Sequence, residues 1–478
     1  MDPVVRIAGG DPPASDHDGR VVAVGPTGVP ALEPLVTVTR GGRTAFYARC
    51  SPERVDEVVS SLGEDVDPDA VAEHDPEATS LPVPDLPGLD AGERTVLGAC
   101  GWRRPTSAAD HEAAGGFGDP DAEAVLSAGA DLHGRGWGDL CQDGPVGETW
   151  ARVREAADGG AVVVNGHGTP GDALLLASAP FEVLDGATAV AQAVGADEVV
   201  VYVSEDDEDA AATAREAATN HPDPPVPVDV VAGPPEHRAA EPTMALEAIE
   251  GNHRLEARLR PPGPAEAGLH GRPTLVHTPR TLAHLAVALR DGSGTDTRVT
   301  TVTGDVESTA TVELPASGSL EEALDAVSTT GAVKAACVGG RFGGLTSDLD
   351  IAVDAASLTD AGLGTEGVVH LLSEDRCVVE FVGQRTRYAA EENCGRCVPC
   401  REGTTQLADL LRSVYDGSYD RDGMAELVRV METSSICAFG VEAGRPARTA
   451  LDAFESEFEA HADGRCPAGA CADPLEAT

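Results

Sequence analysis

The sequence predicts a multidomain α/β fold that ends in a helical bundle built around metal. Three observations carry that expectation. Short apolar runs at 161–164 and 198–203 alternate with helix-period segments at 185–194 and 210–219, as buried parallel strands and their covering helices do. Beyond about residue 385 the apolar spacing is helical, over 405–415, 425–431 and 447–461. Inside that helical region stand Cys394, Cys397 and Cys400 at two-residue gaps, answered by Cys437.

In chain order, residues 1–64 read as a small α/β unit. Strands are expected at 21–24 and 35–38, and Ser51 caps a helix opening Pro52-Glu53-Arg54-Val55. Residues 65–92 are rich in proline and acid and read as a stiff linker. Residues 93–294 carry the alternating α/β pattern. In 295–384, strands at 298–306 and 310–314 predict a hairpin near Gly304, and Ser319 with Glu322 forms a capping box. A strand pair, a helix and further strands suggest a ubiquitin-like β-grasp. Residues 385–460 form the helical metal-binding region, and 461–478 a cysteine-containing tail.

Charge narrows the function. With 81 acidic against 34 basic residues the chain carries −47, and Lys334 is its lysine. Such a surface repels nucleic acid and anionic membranes. Runs such as Ser204-Glu205-Asp206-Asp207-Glu208-Asp209 read as solvated, salt-adapted surface, and a high-salt cytoplasm is the expected setting. No run of 18 apolar residues occurs, so direct membrane insertion is not expected.

Four thiolates spaced C-x2-C-x2-C plus a distant cysteine suit an iron–sulfur cube. Zinc also accepts four thiolates, although its usual pattern is two separated C-x2-C pairs. Cys394, Cys397, Cys400 and Cys437 are therefore the candidate metal ligands, with Arg396 and Arg401 flanking them to offset cluster charge. Cys50, Cys100, Cys141, Cys337 and Cys377 are isolated and read as structural. His167, His277 and His284 read as hydrogen-bonded scaffold.

The stretch Cys394-Gly395-Arg396-Cys397-Val398-Pro399-Cys400-Arg401-Glu402-Gly403-Thr404, with Ile436-Cys437-Ala438-Phe439-Gly440, resembles the flavoprotein subunit of NADH:quinone oxidoreductase and its relatives in NAD(P)-linked hydrogenases and formate dehydrogenases. The resemblance implies NADH oxidation by FMN, a [4Fe-4S] cluster that accepts the electrons, and partner subunits of a redox complex. It also implies a thioredoxin-like ferredoxin at 1–64, although Pro26 and Pro30 stand where that family has cluster cysteines.

The resemblance further places FMN and NADH on the loop Gly134-Arg135-Gly136-Trp137-Gly138-Asp139-Leu140 and on Glu241. Here the chain departs from the family. Trp137 and Asp139 replace glycines, and Thr149-Trp150 replaces a lysine–tryptophan pair. Asn165-Gly166-His167-Gly168 has lost the acids of the NADH loop, and His277-Thr278 replaces an asparagine pair that helps hold the FMN phosphate.

The expected function is therefore an iron–sulfur electron-transfer subunit, cytoplasmic or peripheral to a membrane complex. The alternatives are an active FMN-dependent NAD(P)H dehydrogenase subunit and a scaffold with a structural metal. The tail cysteines Cys466 and Cys471 resemble the junction before an appended ferredoxin. They are expected to be a free pair, or a ligand pair completed by a partner subunit.

Overall fold

The computed structural model describes residues 3–10, 20–61, 71–156, 159–292 and 296–471. The start of the expected linker and the last residues of the tail lie outside them. The architecture is α/β, with three sheets followed by a helical C-terminal region.

The first sheet has the order β2-β1-β3-β4-β5, from β1 (Val4–Ala8), β2 (Val21–Val24), β3 (Leu35–Arg40), β4 (Arg43–Tyr47) and β5 (Val71–Glu73). β1 runs parallel to β2 and antiparallel to β3. Ser51 caps the helix Pro52–Ser60 as expected, its Oγ accepting from the Arg54 N–H at 3.3 Å. Val55, Val58 and Val59 share one face of that helix and bury against Ile7 and Val36.

The described part of the proline-rich segment is not a free spacer. β5 pairs with β4, and Leu81, Leu89 and Ala91 are buried in the core that also holds Trp102 and Leu314. Apolar residues between the prolines anchor it, a signal that composition alone hides.

The second sheet is fully parallel, in the order β8-β7-β6-β9, from β6 (Ala161–Asn165), β7 (Glu198–Ser204), β8 (Val228–Gly233) and β9 (Thr274–His277). Strand order reverses between β6 and β9. In open parallel sheets that reversal leaves a crevice beyond the C-terminal strand ends. Asn165 and His277 occupy those ends.

Helices Pro170–Ser178, Pro180–Val194, Glu208–Asn220 and Pro279–Asp291 cover this sheet. Pro180–Val194 and Pro279–Asp291 cross closely at Gly186, where a Cβ would lie 2.1 Å from the Leu282 carbonyl oxygen. Among the described residues no single helix is long and apolar enough to cross a membrane.

The third sheet has the order β11-β10-β14-β12-β13, from β10 (Thr297–Gly304), β11 (Ala310–Pro315), β12 (Val333–Val338), β13 (Gly344–Thr346) and β14 (Val368–Ser373). β10 and β11 form the expected hairpin, and β10 runs parallel to β14. The capping box of Ser319 and Glu322 is present at the helix Leu320–Leu324.

The C-terminal bundle comprises Val378–Glu392, Val398–Tyr415, Arg421–Ser434, Arg445–Ala453 and Glu455–Ala462. Leu407, Leu411, Val428, Met431 and Phe458 fill its core. The expected helix over 447–461 breaks at Phe454, whose φ of −130° and ψ of 28° end one helix and begin the next. Lys334 on β12 ties the third sheet to the bundle through Glu457, Nζ to Oε1 at 2.9 Å.

Candidate functional site

The four predicted cysteines meet where helix Val398–Tyr415 and the short helix Ala438–Glu442 begin. Helix Val378–Glu392 ends at Asn393, whose side-chain amide bonds back to the Ala389 and Ala390 carbonyls and whose Oδ1 accepts from the Gly395 N–H at 3.0 Å. Gly395 takes φ +75°, turning the chain at once into Arg396-Cys397. Cys397 is the N-cap of helix Val398–Tyr415, with proline in its first turn, and Cys400 lies in that same turn. The positive end of a helix thus faces the sulfurs, which favours thiolates there.

Cys437 approaches from the second segment because Gly440 leaves room for it. A Cβ at Gly440 would sit 2.9 Å from the Cβ of Cys400. Cys400 and Cys437 are buried, with Cys394 and Cys397 packed against the same cluster. Burial raises both buried thiols, helped at Cys400 by the other three cysteines. Cys437 is pushed up to about 12 by burial and then by the charge of Glu241. Such thiols ionise only with a cation to compensate them. Four cysteine thiols brought into one cluster are a donor set that an iron–sulfur group accepts.

The flanking arginines face elsewhere. Arg396 pairs with Glu256 at 3.7 Å, and Arg401 with Glu402 at 3.0 Å and the Gly395 carbonyl at 2.8 Å.

A wedge of rings links this centre to the glycine loop. Trp137 stacks obliquely on His237 at 4.6 Å, His237 meets Phe342 at 5.4 Å, and Phe342 meets Phe439 at 4.9 Å. Trp137 is buried, and its backbone N–H donates to the buried Glu366 at 2.7 Å. Burial, and then the neighbouring Glu442, raise the Glu366 carboxyl well above its usual range. Burial lowers the His237 imidazole to about 3, helped by Arg341.

The predicted residues Gly134, Arg135 and Gly136 do form a loop at the sheet's switch point, but the loop is closed. A Cβ at Gly134 would lie 1.8 Å from the Gln142 carbonyl oxygen, and Gly136 takes φ +95°. Arg135 turns its Nη1 to the His133 carbonyl at 3.2 Å. Leu140 N–H bonds to the Val276 carbonyl at 2.9 Å, fixing the loop on β9.

Asp139 is then fully buried at the N-terminus of helix Pro279–Asp291. Its Oδ2 accepts from the Arg135 N–H at 2.8 Å, Thr281 Oγ1 at 2.8 Å and Thr278 Oγ1 at 3.0 Å. Its Oδ1 accepts from His277 Nδ1 at 2.7 Å and the Thr278 N–H at 3.3 Å. Trp150 Nε1 donates to His277 Nε2 at 2.8 Å, which leaves the ring proton on Nδ1, facing Asp139.

Backbone N–H groups and hydroxyls at a helix N-terminus are an anion site, and here the anion is the chain's own carboxylate. The residues that the resemblance assigns to the FMN phosphate are therefore already satisfied. In this position the loop gives those donors to Asp139.

The remaining predicted contact, Glu241, is also engaged. It caps the helix Pro242–Ile249, accepting from Thr243 N at 2.9 Å and Met244 N at 3.1 Å, and pairs with Arg260 at 3.2 Å. The three histidines are scaffold, as expected. His167 Nε2 faces the Pro234 carbonyl, and His284 bonds to the Arg280 and Thr297 carbonyls. Beside the closed loop lie two adjoining cavities of about 840 and 350 Å³, sharing His237, Gly168 and Arg341. The acid run does more than meet solvent, since Asp206, Asp207, Glu208 and Asp209 line the larger one.

Cys377 was expected to be isolated and is not. Its sulfur lies 3.2 Å from His461 Nε2, beside Cys466 and Cys471. Sequence spacing could not pair residues 84 positions apart.

Residues 132–287 match the Nuo51 FMN-binding domain, and 380–461 match the NADH-ubiquinone oxidoreductase-F iron-sulfur binding region. The chain is 30% identical over 253 residues to the NADP-reducing hydrogenase subunit HndC of Solidesulfovibrio fructosivorans, a match spanning 48% of this chain and about half (51%) of the relative. It is 28% identical over 387 residues to the NADH-quinone oxidoreductase F 2 subunit of Rhizobium meliloti, covering 73% of this chain and 90% of that one. The NADH-quinone oxidoreductase F subunit of Streptomyces coelicolor is 32% identical over 270 residues, 52% of this chain and 59% of the relative. In fold, the chain resembles one in the crystal structure of an NAD+-reducing [NiFe]-hydrogenase in its H2-reduced state. The TM-score is 0.63 at 22% identity, over 96% of this chain and 85% of the other.

Proposed function

We propose that the chain is a member of the family of flavoprotein subunits shared by NADH:quinone oxidoreductases and NAD(P)-linked hydrogenases, and that it serves a redox complex as an iron–sulfur electron-transfer subunit with a closed flavin seat; the matches at 132–287 and 380–461 and the relatives support this. The convergence of Cys394, Cys397, Cys400 and Cys437 at the bundle's end carries this reading. Those four residues would hold a [4Fe-4S] cluster, which supplies one-electron transfer when bound. The helix N-terminus at Cys397 favours their ionisation, and Phe439 with the rings beyond it shields the site on the side of the glycine loop.

The finer architecture follows the same reading. The first sheet supports a thioredoxin-like unit in which Pro26 and Pro30 stand in place of cluster ligands. Its loop docks on the rest of the chain: Thr311 N–H donates to the Gly28 carbonyl at 2.7 Å, and Ser178 Oγ to the Pro26 carbonyl at 2.8 Å. The third sheet's strand order, with its first and last strands parallel, supports a β-grasp.

Two measurements test the proposal. Anaerobic reconstitution with iron and sulfide, followed by reduction, should give the electron paramagnetic resonance signal of a reduced cube, and Cys437→Ala should abolish it. An unchanged signal in that variant would remove Cys437 from the ligand set. Incubation with excess FMN and desalting should leave the wild-type chain free of flavin. About one FMN retained per wild-type chain would overturn the closed-seat reading.

A further inference from the structure

We propose that Arg341 and Arg385 form a binding site for a small dicarboxylate in the cavity of about 350 Å³ beside Trp137. Both arginines line that cavity. One comes from the loop that follows β12, the other from helix Val378–Glu392. Neither belongs to the stretches that the resemblance assigns to FMN or NADH.

Their lack of counter-charge carries the inference. The chain has 81 acidic against 34 basic side chains, and arginines such as Arg280, Arg290 and Arg445 hold carboxylates at 3.0, 2.8 and 3.3 Å. Among the described residues no carboxylate lies within 4.0 Å of Arg341 or Arg385. Arg341 lies over the Tyr388 ring at 4.1 Å, and Arg385 over the Phe381 ring at 3.7 Å. The buried Arg385 Nε–H has no hydrogen-bond partner. The Cys337 thiol beside it is raised by burial, stays protonated and offers no charge. Burial lowers the Arg385 guanidinium, and the nearby charge of Arg341 lowers it further. Two guanidinium groups that repel each other beside one cavity are matched by a dianion.

The rest of the lining tolerates negative charge. Burial lowers the His237 ring to about 3 and the His370 ring to about 4, so both are neutral. Burial holds Glu366 protonated, able to donate to an oxygen, and Glu442 is taken by Arg445. Trp137, Phe342, Val368 and Pro170 give the cavity an apolar wall for a carbon chain. A phosphate ion would leave that wall uncovered. The adjoining larger cavity is walled by Asp206, Asp207, Glu208 and Asp209, which repel the pyrophosphate of a dinucleotide. A short carbon chain with a carboxylate at each end meets both planar guanidinium forks and stays clear of those acids.

The test uses the full chain, with succinate as the probe at constant ionic strength. Calorimetric titration should show saturable binding of about one succinate per chain. Arg341→Gln and Arg385→Gln should each weaken it by about tenfold or more. Arg341 is exposed, so its substitution leaves the core untouched, and circular dichroism verifies the fold of both variants. Succinamide, of the same length but uncharged, should not bind. Absence of saturable succinate binding in the wild type, or equal binding in wild type and variants, overturns the assignment. Inorganic phosphate or NADH that binds more tightly than succinate and displaces it overturns the ligand class. The cluster's paramagnetic signal should be the same in Arg341→Gln and wild type, so failure of the proposed function is read separately from failure of this site.

Discussion

Asp139 fills the anion seat at the start of its own neighbouring helix. Its carboxylate takes up five donors that would otherwise hold an anion from solution. Asp139→Asn keeps the volume but turns an amide N–H toward hydroxyl and N–H donors. It should cost about 3 kcal/mol, read as a lower denaturant midpoint. Buried histidines give a pH signature. His370 is lowered to about 4, by burial first and then by Arg385. The unfolded chain therefore binds its proton more readily, so His370's contribution is complete above about pH 6.5 and fades as pH falls toward 4. The stability difference between wild type and His370→Gln should shrink over that window. Glu366 and Glu442 titrate in the opposite sense, but cancel from the difference. A difference independent of pH from 7 to 4 would show that folding does not lower the imidazole's pKa. The substitution of glycine by Asp139 was legible in the sequence. That its carboxylate would settle on Thr278 and Thr281 was not, because those donors lie 139 and 142 positions away.

At the scale of elements, the helix pair Pro180–Val194 and Pro279–Asp291 crosses at Gly186 with no room for a methyl group. Alanine there gains about 1 kcal/mol of helix propensity, yet must push against the Leu282 backbone. Overpacking should win, and Gly186→Ala should lower the melting temperature; a rise would show that the helices can separate freely. Regular elements were the legible part of this fold. The strands at 161–164 and 198–203, the hairpin and both serine caps follow from local pattern, and each is present. What local pattern missed depended on distant contacts. The break at Phe454 and the burial of Leu81 and Leu89 are decided by the cores they pack into. The four cysteines were readable because three share one turn; Cys377 and His461 were not, since only the packing of two helix ends brings them together.

For the molecule as a whole, a charge of −47 should make the fold depend on ions. Raising KCl from 0.1 to 1 M shortens the screening length from about 10 to about 3 Å and should raise the melting temperature steadily. A midpoint that falls over this range would mean that ion pairs such as Arg104–Asp110 and Arg376–Asp305 outweigh the general repulsion. The same composition has a practical side. The chain's one lysine is Lys334, and its ammonium is tucked against Glu457, with a side chain only 18% exposed. Reagents that seek primary side-chain amines will therefore find almost nothing to label. Crosslinking aimed at carboxyl groups, and digestion directed at arginine, are the chemistries by which the neighbours of this protein can be mapped.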